Sequence, residues 1–348
     1  MNDSLSPFPG VHLDGRMKAA DLRFLPALTI AAGPVVAHWD GAYWGPFFVF
    51  FVVVPLLDLV IGRSGAEAGA EEMQRLERNP FFRFVLHAWV PLQLGLIVWG
   101  AWVVGQGTLH APDAVLLSFS VGLASGATGI TIAHELGHKR SGLDRFLSRL
   151  LLVSVSYGHF TVEHNRGHHV RVATPEDPAS ARYGEGFWRF LPRTLVFSFF
   201  HAWQLDRTEV IRPWAATLAI AAALGFAFGP LAVAFFFGQS AMAIVLLEAV
   251  NYVEHYGLQR KKLADGRYER PGPQHAWDSY AWLTNAFLVH LQRHADHHLN
   301  PMRPYALLQP QNESPKLLAG YAAMIPLAFL PPLWFAVMYP RVPRPATA

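Results

Sequence analysis

Residues 114–138 read AVLLSFSVGLASGATGITIAHELGH. The first part of this stretch carries no charge and has the length of one membrane-spanning helix, about 20 apolar residues. It then ends on His134 and His138, four residues apart and so on one helical face. An apolar run that finishes on paired imidazoles sets two expectations at once: a helix that crosses a lipid bilayer, and a metal ion at its end.

Working outward, the same charge gap recurs. The chain has 348 residues, 52% hydrophobic and only 15% charged, with 28 Lys and Arg. A typical soluble domain has about 25% charged residues, and the mean hydropathy here is +0.22. No Lys or Arg falls within 24–62, 84–138 or 213–259. Each window holds two spans, which places six helices at about 25–39, 43–62, 84–105, 114–134, 213–230 and 231–250. The expected fold is all-α and integral to the membrane, with a histidine-rich cap on one side.

Every basic residue lies in the segments between or beyond those pairs. The positive-inside rule puts these segments in the cytoplasm. Six spans then place both termini there too. Residues 1–23 form a short N-terminal cytoplasmic segment without the apolar h-region of a cleavable signal. Residues 24–339 form one membrane-embedded catalytic domain. The stretch 340–348, PRVPRPATA, reads as a Pro-rich tail or linker. Residues 187–203 are aromatic and amphipathic, which suits an interfacial helix. Residues 317–338 are apolar but cut by Pro326, Pro331 and Pro332, so an interfacial or re-entrant segment is expected there in preference to a seventh span. The net charge of +3 and the clustered basic residues suit membrane orientation, not nucleic-acid binding.

Nine of the 17 histidines fall in four short motifs. They are His134 and His138; His164, His168 and His169; His255; and His294, His297 and His298. Helical spacing lets His134 pair with His138, His164 pair with His168, and the last three form one trio. One ion rarely takes more than six ligands, so nine imidazoles imply two metals. His12, His38, His110 and His201 read as ordinary structural histidines, and His87, His159, His275 and His290 as intermediate cases. With no cysteine in the chain, a thiolate nucleophile, a Cys-ligated zinc site and an iron–sulfur cluster are excluded. Carboxylates beside the motifs are candidates to orient the imidazoles from outside: Glu135, Glu163, Asp177, Glu248, Glu254 and Asp296. Glu248 also stands out as an ionisable residue within a span.

All-imidazole sites accept Zn, Cu, Fe or Ni. A metal cluster capping apolar helices suits a lipid-soluble substrate that offers little to hydrolyse. The expected chemistry is O2 activation and attack on a C–H bond, which needs a redox-active ion, iron or copper. Two rivals compete. His134-Glu135-Leu-Gly-His138 also matches the H-E-x-x-H pattern of zinc proteases, with Glu135 as base. A transporter or metal store is the other.

The motifs HELGHK, EHNRGHH, NYVEHYG and LQRHADHH closely resemble those of the bacterial membrane alkane monooxygenases, the alkane ω-hydroxylases. PLLD at 55–58, YGHF at 157–160, ATPEDPASAR at 173–182 and DGRYE at 265–269 extend the likeness over about residues 20–310. The resemblance implies a non-haem centre of two Fe ions, without haem, flavin or an iron–sulfur cluster in the chain. The nine histidines named above are its ligands. It implies O2-dependent hydroxylation of the terminal methyl of medium-chain n-alkanes to 1-alkanols. Reduced rubredoxin, fed by rubredoxin reductase, is the electron donor, separate or fused outside this chain. The setting is the bacterial inner membrane with its lipid. Lys139, Arg140, Arg260, Lys261 and Lys262 are candidates to dock the acidic donor. Phe50 matches a position where the family uses side-chain bulk to limit alkane length. The nearest alternative is a fatty-acyl desaturase or hydroxylase of the same histidine-box group.

Overall fold

The computed structural model describes residues 17–343. The expectations for residues 1–16 and for 344–348 of the Pro-rich tail lie outside the described residues. Among the described residues the regular structure is helical, and β pairing is limited to isolated bridges such as Lys262 with Tyr268. The helices in chain order are α1 (Ala19–Thr29), α2 (Ala32–Asp40), α3 (Gly45–Ile61), α4 (Ala70–Arg78), α5 (Phe81–Gly105) and α6 (Ala111–Gly137). Then come α7 (Gly142–Val153), α8 (160–171), α9 (Phe187–Leu205), α10 (Thr208–Phe228) and α11 (Pro230–His255). Four short helices follow: α12 (Trp282–Phe287), α13 (His294–Leu299), α14 (Tyr321–Ala328) and α15 (Pro331–Met338).

Four of these, α5, α6, α10 and α11, are long and apolar enough to cross a membrane. The first expected span is instead a bent pair, α1 and α2, which meet at 51° and make at most a fifth. The bend has a local cause: Pro34 has no N–H to return to the carbonyl of Ile30, so that turn closes on Gly33 N. The second expected span is α3, with 17 residues. At 1.5 Å per residue it is about 25 Å long, short of the bilayer core. The segment 317–338 forms two eight-residue helices, α14 and α15, each too short to cross. Pro331 and Pro332 open the second of them, and its Trp334 packs on Tyr252 of α11 and on Tyr256 just beyond it.

The long helices outrun their expected limits at the histidine end. α6 continues to Gly137 and α11 to His255, and both run toward the same end of the bundle. They touch closely because α6 is lined with small residues. A Cβ on Gly122 would lie 2.5 Å from the Gln239 carbonyl, and one on Gly126 would lie 2.8 Å from Ala243 Cα. Small residues that let backbones approach are the usual means of joining helices in lipid. Polar groups between α5 and the chain after α7 are paired: Trp89 Nε1 donates to Gln93 Oε1 at 2.9 Å, and Gln93 Nε2 to Ser154 Oγ at 2.8 Å. Large apolar side chains such as Leu59, Val60 and Phe226 face outward, as expected for a chain with several membrane-level helices.

Three wide π-turns interrupt these helices: Val49–Val53 in α3, Ser125–Ile130 in α6 and His164–His168 in α8. Such turns gather at functional sites. Here one holds Phe50, one lies a turn before His134, and one carries two of the histidines, His164 and His168, on its own backbone. Asp58 of the PLLD segment explains that motif's place in the fold. It is buried in α3 and accepts from the backbone N–H of Leu283 at 2.7 Å and from the Thr284 hydroxyl. It thereby caps the N-terminus of α12 and fixes the chain that leads into the last histidine motif.

Candidate metal centre

The four motifs, spread over 165 residues of chain from His134 to His298 by their numbering, converge at the shared end of α6 and α11. They form two groups. His134, His138, His164, His169 and His297 present ring nitrogens that all lie within 4.8 Å of one another. His168, His255, His294 and His298 do the same. All nine expected histidines are therefore brought together, five and four.

The division departs from simple helical spacing in two places. His164 joins His169 and not His168, because the π-turn at His164–His168 widens the helix and puts residues five apart on one face. The final trio also divides. His294 and His298, one turn apart, face one group while His297 faces the other, so α13 stands between the two.

Within each group the Nε2 atoms converge. His164 Nε2 is 2.8 Å from His134 Nε2 and 2.9 Å from His169 Nε2, and His297 Nε2 is 3.2 Å from His169 Nε2. His294 Nε2 is 3.1 Å from His255 Nε2 and 3.0 Å from His298 Nε2. Ligands held at about 2.1 Å from one ion are separated by about this much. His138 Nε2 and His168 Nε2 are buried without a hydrogen-bond partner. Burial holds His164, His169, His297 and His298 well below the usual imidazole range, with their neighbouring histidines adding to it. They are neutral, the state that binds a metal. The carboxyl ends of α6 and α11 point their negative dipole ends at this place, which favours cations. The donor set, its orphaned nitrogens and its protonation state fit two metal ions.

The six candidate carboxylates have different surroundings. Asp177 Oδ2 accepts from His168 Nδ1 at 2.9 Å and from Ser180 Oγ at 2.6 Å. Burial alone would raise its pKa, but His168 and then Ser180 outweigh it and leave the carboxyl below its ordinary value. Glu254 Oε2 lies 3.2 Å from His294 Nε2, beside the four-histidine group. The remaining four engage other partners. Glu135 pairs with Lys139 Nζ at 2.6 Å and accepts from Tyr305 N at 2.9 Å. The H-E-x-x-H base of a protease would have to face the metal, and this one is spent on a lysine. Glu163 Oε1 lies 3.1 Å from His201 Nδ1, and burial, reinforced by Asp177, pushes its carboxyl well above the ordinary range. Glu248 binds the Tyr157 hydroxyl at 2.7 Å and the Thr194 hydroxyl at 2.9 Å. Asp296 anchors the loop after α13 through Arg303 at 2.6 Å and Gln309 N at 2.8 Å.

Sequence reasoning missed some supports. His255 Nδ1 donates to the His275 carbonyl at 3.1 Å, which turns its Nε2 inward. A backbone acceptor leaves no signal in side-chain spacing. His201, read as an ordinary structural histidine, is the partner of Glu163.

Phe50 is buried in the π-turn of α3, with the Phe287 ring 6.2 Å away at centroids. Both rings line an apolar cavity of about 350 Å³ between α2, α3 and α6. A smaller cavity of about 20 Å³ lies further in, lined by Gly126, Ile130, Leu291, His134, His164 and His294. Phe287 and Leu291 lie on one short stretch of chain, as do Ala124 and Gly126, so the two cavities take walls from the same two segments, with the smaller one at the histidines. Of the basic candidates, Lys139 is committed to Glu135 and to the Arg303 carbonyl. Arg260 donates to the carbonyl of Val170, next to His169, while Arg140, Lys261 and Lys262 are exposed.

Residues 110–328 match the fatty acid desaturase family. Among curated proteins, alkane 1-monooxygenase 2 of Pseudomonas aeruginosa is 45% identical over 86% of this chain and 84% of its own. Alkane 1-monooxygenase 1 of the same organism is 42% identical over 86% and 84%. The alkane 1-monooxygenase of Acinetobacter baylyi is 39% identical over 86% and 77%. Coverage at this level takes in all four histidine motifs, and the chain belongs to the alkane 1-monooxygenases, within the fatty acid desaturase family.

Proposed function

We propose that this protein hydroxylates the terminal methyl of medium-chain n-alkanes to 1-alkanols with O2. The observation that carries the reading is the pair of convergent Nε2 groups, five and four, at the inner end of an apolar passage. His134, His138, His164, His169 and His297 would hold one iron, and His168, His255, His294 and His298 the other. Iron held there would supply the activation of O2 that an unreactive C–H bond requires. Reduced rubredoxin, kept reduced by its reductase, would deliver electrons near Arg140, exposed after the first motif, and Lys261 and Lys262, exposed next to Arg260, which bonds the Val170 carbonyl after the second. The bent pair α1–α2 and the short α3 count as the first two of six spans. The histidine end and both termini then face the cytoplasm of a bacterial inner membrane.

The chain's own residues do the positioning. An alkane has no group to hydrogen-bond, so the passage selects by shape. Its walls around Phe50, Val54, Leu123 and Phe287 exclude water from the path. Asp177 and the His275 carbonyl fix the tautomers of His168 and His255 so that Nε2 faces the ion. Acyl chains of a desaturase would bring a polar head group, and the polar side chains at the inner end of this passage are limited to the histidines, Thr131, Asn251 and Glu254.

Iron-loaded protein in detergent, given rubredoxin, its reductase, NADH and an n-alkane, should contain about one ion per histidine group, as ligand number requires, and release a 1-alkanol. One zinc without oxygen uptake would remove the proposal. Phe50→Ala should lengthen the longest alkane accepted, raising kcat/KM for the first excluded chain by about tenfold, within the range for one or two methylenes. An unchanged chain-length profile would show that Phe50 sets no limit.

A further inference from the structure

The bundle has a second large opening, on a different face from the apolar passage. It is a crevice of about 440 Å³ between α9, α10 and α11. Leu195, Phe199, Phe200, Trp214, Phe237 and Ile244 form its walls. Phe200 is 56% exposed, so the crevice opens outward on the apolar flank of the bundle.

Its inner end is unlike that of the first passage. Ser156, Tyr157, His159 and Ser240 line it. His159 is only 3% exposed, and neither of its ring nitrogens has a hydrogen-bond partner. Trp214 Nε1 is also buried and unpartnered. Buried polar atoms are normally satisfied, and three unsatisfied ones lining a single apolar crevice call for a ligand that brings a hydrogen-bonding group. A neutral imidazole can accept from a hydroxyl with one nitrogen and donate with the other, and the indole N–H can donate.

The crevice also leads to the histidines. Tyr157 and His159 are shared with a cavity of about 10 Å³ that is lined by Phe160, His164, Glu248 and Asn251. Phe160, His164 and Asn251 are shared in turn with the inner cavity below His134 and His294. A row of cavities with shared walls thus runs from this flank of the bundle to the nine histidines, and the first passage approaches them through the neighbouring segments at Ala124 and Phe287. One end is apolar to its core, where Phe50, Leu123, Ala124 and Phe287 stand. The other end carries imidazole, indole N–H and two serine hydroxyls.

From this asymmetry we propose that the crevice between α9, α10 and α11 is the exit for the product, binding a primary 1-alkanol by its hydroxyl at His159 and Trp214 and its chain along Phe199, Phe200 and Phe237. The proposal rests on the alkane-hydroxylating reading. The reaction converts a molecule with no hydrogen-bonding group into one with a single hydroxyl. That group meets unpartnered polar atoms along the exit, whereas the polar side chains on the inlet, Thr29, Asp40 and Ser120, are already engaged with the backbone at Pro26, Ala42 and Tyr43, so the product is drawn away from the path by which the next alkane arrives. Tyr157 and His159 separate the crevice from the inner cavities, and their side-chain movement admits the product.

The absence of cysteine from the chain permits a direct test. Ala241 lines the crevice and is exposed, and Ala32 lines the first passage and is exposed. Ala241→Cys and Ala32→Cys are each loaded with iron and then blocked with a bulky methanethiosulfonate, so folding and metal binding precede the block. Blocking at 241 should lower the steady-state rate about fivefold, as expected when release limits turnover. The alkanol formed in a single turnover should be unchanged, and thiol should restore the rate. Blocking at 32 should instead lower kcat/KM for the alkane. Trp214→Phe, which keeps the bulk and removes the N–H, should weaken inhibition by added 1-octanol without changing kcat/KM for octane. A steady-state rate unaffected by the block at 241, or a single-turnover yield lost as it is at 32, would overturn the exit. If unblocked enzyme formed no alkanol in a single turnover, the hydroxylation reading would fall and the exit with it, a result distinct from either of those.

Discussion

Replacing His255 with Ala is expected to strip the ion from the four-histidine group and leave the five-histidine group loaded. His255 is wholly buried, its Nε2 lies 3.1 Å from His294 Nε2, and its Nδ1 is held by the His275 carbonyl. Its removal leaves three imidazoles where four converged. Metal content should fall to about half of the wild-type value. Alkane hydroxylation should fall by more than the 10–100-fold that loss of an outer partner of a metal ligand causes. His110→Ala is the control, since His110 is exposed at the start of α6 and outside both groups. Elemental analysis of the purified variants decides the matter. Full metal content in His255→Ala would show that this imidazole is not a ligand.

Asp177→Asn should weaken the same ion without removing it. Asp177 is the carboxylate that meets a group histidine at its Nδ1, and it is buried beside Ser180 and the Ala179 N–H. The amide keeps the shape but loses the negative charge that faces His168 Nδ1. A chelator competition should show affinity lowered by about 10–100-fold, or about 1.4–2.8 kcal/mol, for one ion of the two. The five-histidine ion should hold as tightly as before, because its imidazoles make no contact with Asp177. Equal weakening of both ions would indicate a general disturbance of the fold, and no weakening would show that Asp177 leaves His168 unaffected. Glu135, Glu248 and Asp296 give a contrast. Their carboxylates are engaged by Lys139, by Tyr157 and Thr194, and by Arg303. Loss of any of these should register first in thermal stability.

The two carboxylate outcomes show how far spacing along a chain reaches. Asp296 lies inside a histidine motif and Asp177 eight residues beyond one, so nearness along the chain favours the carboxylate that does not meet a histidine. Only the folded loop after α8 turns Asp177 onto His168, while the loop after α13 turns Asp296 onto Arg303. Phe50 shows the same limit. Its bulk and its place in α3 are visible in the chain, but its partner Phe287 comes from a segment more than two hundred residues away. His159 was one imidazole among many until the structure showed both its nitrogens buried and unpartnered between two cavities.

The sequence by itself determined the class of molecule and the metal chemistry. Long gaps without Lys or Arg require lipid around α5, α6, α10 and α11, because so much apolar surface has no stable place in water. Nine histidines in four motifs with no cysteine point to a site that could hold metal through imidazole alone. Both follow from residue type and short-range spacing, which the chain carries openly. Tertiary structure decided how those residues are shared out. It bent α1 against α2, shortened α3, split His168 from His164 through a π-turn, and divided His294, His297 and His298 between two groups of five and four. These depend on a widened helical turn and on which face of α13 meets α6 or α11. Such choices are settled by packing between distant segments, where no repeat or motif along the chain records the answer.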